Sequence, residues 1–225
     1  MKKVKKQSGF TLVEIAIVLV VIGLLLGGVL KGQELIESSK VKSMAKDLTS
    51  YSTMMTAYQD RYRGVPGDDL TATTNVDRGW GLATAKFAAG DNDALIGTPT
   101  VLTNAATMAA ATNKSETTTV ENFSAIQALR YAGFLEGDVL MATPLRNAVG
   151  GYIAFTNGVL GIAHNVVCFS GLNGKQAGAL DRLLDDGISN TGRVRSIVTT
   201  MGVGQPAAAT AYADGTIDFI LCKEL

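Results

Sequence analysis

Apolar residues follow two different patterns along the first part of the chain. Residues 10–30 are almost entirely apolar, with Glu14 as the single charged side chain, and about 20 such residues suffice for a helix to cross a bilayer core. Farther on, large apolar residues recur at alternating intervals of three and four, which is the spacing of one helix face. Together the two patterns predict one long helix over residues 10–63, and its amphipathic face comprises Val41, Met44, Leu48, Tyr51, Met55, Tyr58 and Tyr62.

The pattern over residues 64–225 predicts a mixed head. Alternating apolar residues on both sides of Asn157-Gly158 predict a β-hairpin with a two-residue type I′ turn. Short helices are also predicted at 121–135 and 177–186, and further strands at 166–170, 193–199 and 216–222. The predicted fold class is therefore α+β, in which the long N-terminal α-helix packs on an antiparallel β-sheet head with short helices.

Charge around the apolar run predicts its orientation in a membrane. Lys2, Lys3, Lys5 and Lys6 precede the run, and basic flanks stay on the cytoplasmic side. A secretory signal peptide would have a shorter run followed by small residues at a cleavage site.

Removing residues 1–9 takes away four of the 20 basic residues and none of the 20 acidic ones, which leaves a net charge of −4. That charge provides no electrostatic basis for binding nucleic acid.

The junction between the basic and apolar segments reads GFTLVE over residues 9–14. It resembles the type III signal of type IV pilins and type II secretion pseudopilins. The resemblance implies that a prepilin peptidase cleaves after Gly9 and methylates the new amino group of Phe10. It also implies a leader peptide at 1–9, a transmembrane and filament-core helix at 10–30, an amphipathic half of that helix at 31–63, and a globular pilin head with a disulfide-bounded C-terminal region at 64–225.

Glu14 is the residue to which the resemblance gives a role in assembly. It implies an ion pair between Glu14 and the Phe10 amine of a neighbouring subunit, which sets the register because a buried charge without its partner is costly. The alternative is a carboxylate that snorkels at the membrane surface. Many type IV pilins have a proline near the end of the apolar run, where this chain has Gly27, Gly28 and Gly32. That departure favours a pseudopilin or a minor pilin.

The two cysteines, Cys168 and Cys222, lie in the C-terminal part of the chain. Such a pair in an exported protein is typical of one disulfide, and two buried free thiols are the alternative. The pair also resembles the cysteines that bound the C-terminal region of type IV pilins. His164 is the single histidine and there is no Cys-x-x-Cys, so a zinc-type metal site is not expected. We predict no catalytic residues and no cofactor.

A short acidic segment is a weak candidate for calcium. Asp91, Asn92 and Asp93 provide oxygen atoms of the type that calcium prefers. Their spacing is not that of an EF-hand, and no bidentate glutamate follows at the required position. A turn stabilised by Asx side chains is the alternative.

The resemblance therefore implies a structural subunit, not an enzyme, of a type IV pilus or pilus-like filament that serves adhesion, motility, DNA uptake or secretion. The precursor would cross the inner membrane once with a cytoplasmic N-terminus and then enter a periplasm-spanning or cell-surface filament. The partners implied by the resemblance are other pilins in a homo- or hetero-polymer, a prepilin peptidase, an assembly ATPase and an inner-membrane platform protein. The alternatives are a type II secretion pseudopilin and a membrane-anchored binding domain unrelated to filaments.

Overall fold

A computed structural model describes residues 11–69, 90–97, 121–137, 145–198 and 211–225, apart from positions 214 and 216. Gly9 and Phe10 lie outside the described residues. The chain forms two compact units, which divide between Ser39 and Lys40. The first helix, α1, is Leu12–Tyr62, so both units contain part of it.

The C-terminal unit contains a five-stranded antiparallel sheet with the strand order β1-β2-β3-β5-β4. Two short helices accompany the sheet, and the fold is α+β, as predicted. The elements that follow α1 are α2 Glu121–Tyr131, β1 Leu145–Arg146, β2 Tyr152–Asn157, β3 Asn165–Asn173, α3 Gly174–Leu184, β4 Val194–Val198 and β5 Ile217–Glu224.

The predicted amphipathic face of α1 packs on one side of this sheet. Six of its seven members are buried, and Tyr62, in the last turn, is half-buried. Tyr51 makes edge-to-face contacts with Phe155 of β2 and Phe169 of β3, with ring centroids 5.5 and 6.4 Å apart. Lys223 of β5 donates from Nζ to Ser52 Oγ on α1 at 2.8 Å. The helix is therefore attached to the sheet by a continuous core and by a polar contact beside it.

The other side of the sheet has a second, smaller core, and it corrects the hairpin prediction. Asn157 ends β2 and pairs with Asn165, so a loop at 158–164 joins the strands in place of a two-residue turn. Val159 and Ile162 of this loop are buried beside Cys168. Full burial of each such side chain contributes about 1.5–3 kcal/mol, which favours folding the loop over the sheet rather than extending the strands.

The start of α3 is determined by local sequence. Asn173 is its N-cap: the side chain accepts from Gln176 N at 2.8 Å, and Gln176 Oε1 accepts from Asn173 N at 3.0 Å. This reciprocal capping box satisfies two backbone donors that helix formation would otherwise leave unpaired. The helix consequently begins at Gly174, three residues before the predicted start.

Candidate functional site

The N-terminal unit presents an apolar helical segment with an unusual degree of exposure. Every described residue from 12 to 30 is exposed, including Leu12 at 91% and Leu24 at 75%. This segment is long and apolar enough to cross a membrane. Because burial of each large aliphatic side chain contributes about 1.5–3 kcal/mol, apolar surroundings such as lipid or neighbouring helices stabilise the segment relative to water.

Thr11 and Glu14 form a reciprocal pair at the start of this helix. The backbone N–H and the hydroxyl of Thr11 both donate to Glu14 Oε2 at 2.8 Å. In return, Glu14 N donates to Thr11 Oγ1 at 3.3 Å. These bonds are those of a capping box, with Thr11 at the N-cap position and Glu14 three residues later. The only carboxylate in the apolar run is therefore held at the helix end, and its charge lies at the favourable end of the helix dipole.

The glycines of the apolar segment do not interrupt the helix. α1 is continuous through Gly27, Gly28 and Gly32, although each glycine costs a helix about 1 kcal/mol relative to alanine. A Cβ placed at any of these positions would meet no atom within 4 Å apart from the adjacent residues and backbone of the helix itself. The glycines therefore leave open surface on the helix, which small residues provide where helices approach each other closely.

Residues 4–30 match the family model of the prokaryotic N-terminal methylation motif. The chain carries the N-terminal signal of the type IV pilin and pseudopilin family. The matched range includes the basic flank, the GFTLVE hexapeptide and the whole apolar run, and it supports a pilin-like or pseudopilin subunit. No curated protein matches the chain.

The C-terminal unit contains one disulfide, between Cys168 and Cys222. The two residues are direct partners on β3 and β5, with their Cα atoms 4.0 Å apart. Both are fully buried in the second, smaller core of the sheet. A sulfur in a disulfide is not available as a thiolate nucleophile. His164 immediately precedes β3, because the loop at 158–164 takes the place of the predicted second strand of the hairpin.

The acidic segment at 90–97 is folded by Asx turns. Asp91 Oδ1 accepts from Asp93 N at 3.2 Å, and Asp93 Oδ1 accepts from Leu95 N at 2.8 Å. Asn165 holds the end of the segment, because its Oδ1 accepts from Ile96 N at 2.7 Å. The carboxylates of Asp91 and Asp93 thus accept hydrogen bonds from backbone N–H groups of the same segment.

Two carboxylates that sequence reasoning missed lie beneath this segment. Asp68 is buried and accepts from Asn92 N at 2.6 Å and from Ala94 N at 2.7 Å. Glu121, the first residue of α2, accepts from Asp91 N at 3.2 Å. Oxygen atoms of Asp68, Asp91 and Glu121 lie within 4.8 Å of one another. Burial raises the pKa of both Asp68 and Glu121. The charge of Asp93 adds to the rise at Asp68, and the charges of Asp68 and Asp91 add to the rise at Glu121.

A second missed cluster fastens residues 211–213 to the head. Asp181 of α3 is fully buried and accepts from the Tyr212 hydroxyl at 2.5 Å. The Tyr212 oxygen in turn accepts from Ser196 Oγ at 3.0 Å. Burial raises the pKa of Asp181 and of Tyr212, which keeps Tyr212 protonated as a donor. This chain of bonds joins α3, β4 and the segment before β5, and its role is structural.

Proposed function

We propose that this chain is a structural subunit of a type IV pilus or pilus-like filament, polymerised through the helix of residues 10–30. The observation that carries the proposal is an exposed apolar helix that begins at the Thr11–Glu14 pair and coincides with the methylation motif. A prepilin peptidase cleaves between Gly9 and Phe10 and methylates the Phe10 amine. The precursor is held in the inner membrane with its leader in the cytoplasm, and the head at 64–225 lies on the other side.

Assembly exchanges lipid for neighbouring helices around the apolar segment. Both surroundings are apolar, so the transfer gains little from hydrophobic burial alone, and close packing supplies the attraction. An assembly ATPase and an inner-membrane platform protein provide the work of extraction. The open surface at Gly27, Gly28 and Gly32 allows neighbouring helices to approach closely.

Glu14 sets the register of one subunit against the next. A carboxylate within an apolar run is costly, and the two hydrogen bonds from Thr11 lower that cost while the subunit waits in the membrane. In the filament, the carboxylate pairs with the Phe10 amine of a neighbour. A subunit in the wrong register leaves both charges unpaired, so the pair excludes wrong registers more than it stabilises the correct one.

Substitution of Gly9 tests the processing step. We expect Gly9→Leu to leave a chain that starts at Met1, to remain in the membrane fraction and to be absent from filaments sheared off the cells. The matched control is Gly23→Leu, which makes the same change in open space farther along α1 and should still be cleaved. Intact mass of both fractions measures the outcome. Normal behaviour of the Gly9→Leu chain would instead indicate a simple membrane anchor.

Substitution of Glu14 tests the assembly step separately. Glu14→Gln keeps an oxygen that accepts from Thr11 but removes the charge that pairs with an amine. We expect this variant to be cleaved and methylated at Phe10 but to be depleted from sheared filaments. Incorporation of the Glu14→Gln variant into filaments at the level of the wild-type chain would refute the ion pair.

The location of the wild-type chain distinguishes the two filament types. A wild-type chain that is processed but found only in the envelope would favour the type II secretion pseudopilin, which the absence of the usual proline also favours.

A further inference from the structure

We draw no further inference here: the strongest candidate, the cluster of carboxylates that Asp68, Asp91 and Glu121 form beneath the segment 90–97, has oxygen atoms that accept hydrogen bonds from the backbone of that same segment, and no second feature of the described residues points to a ligand.

Discussion

Replacing Tyr212 by phenylalanine removes one buried hydroxyl and keeps the aromatic ring. The hydroxyl donates to Asp181 Oδ2 at 2.5 Å and accepts from Ser196 Oγ at 3.0 Å. Because Asp181 is fully buried, water does not replace the lost donor. A hydrogen bond to a charged group contributes about 1.5–3 kcal/mol, so we expect Tyr212→Phe to lower the free energy of unfolding by about that amount.

Thermal unfolding of the full-length chain in detergent, followed by circular dichroism, measures this loss. For a chain of this size each kcal/mol changes Tm by about 2–4 °C, so the expected decrease is roughly 3–12 °C. The matched control is Tyr152→Phe, whose hydroxyl accepts from Arg146 Nη2 at an exposed position. Its effect should stay below about 0.5 kcal/mol. Equal losses in the two variants would refute the reasoning.

The effect of Tyr212→Phe should also depend on pH. Burial raises the pKa of Asp181, and the bond from Tyr212 opposes that rise. A carboxyl group whose pKa is raised by folding stabilises the protein most below its ordinary pKa, and this contribution is lost as the pH rises through the raised pKa. Without the hydroxyl, the pKa rises further. The variant should therefore be penalised more at neutral pH than near pH ~4, and the opposite order would contradict the assignment.

Three further predictions concern the head. Asp91→Asn keeps an oxygen for the Asx turn and removes one of three neighbouring carboxylates, so the Tm of the variant should equal or exceed that of the wild type. Calcium should change the Tm of neither protein. A calcium-dependent increase that Asp91→Asn abolishes would identify a calcium site instead. Gly178→Ala puts a methyl group 2.9 Å from the Tyr212 ring, and thermal unfolding should show a loss of about 1–3 kcal/mol. The double variant Cys168→Ala, Cys222→Ala should lose about 2–5 kcal/mol in urea unfolding, and an unchanged midpoint would disprove a stabilising role for the bridge.

The face of α1 was predictable because it depends on local periodicity alone. Met44, Leu48 and Tyr58 have no exposed surface. Their spacing predicts this burial even when the sheet that covers them is not known. The Asn157-Gly158 turn was mispredicted because the competing interaction is not local. Val159 and Ile162 gain burial on a surface built by strands that are distant in the sequence, and a dipeptide preference does not report that surface.

The same distinction applies to the candidate sites. The GFTLVE motif consists of neighbours in the sequence, so its resemblance to the family signal is visible in the residues alone. The Thr11–Glu14 pair is also local, but it was not predicted. Asp181 and Tyr212 are 31 positions apart, and Asp68 and Asn92 are 24 apart. Which carboxylate receives which donor is decided by how the helices and strands pack, and the individual residues carry no signal that names the partner.

In the proposed filament, the bridge between β3 and β5 would have a mechanical consequence under tension. It closes a stretch of chain with a sequence separation of 54. A head that unfolds under force would extend toward its full contour length. The covalent link transmits the force directly from β3 to β5, so the chain between the two cysteines does not extend. At about 3.4 Å per residue, the disulfide therefore removes roughly 180 Å from the length to which an unfolded head could extend. A strained fibre of such subunits would lengthen far less before resisting than one made of unbridged heads.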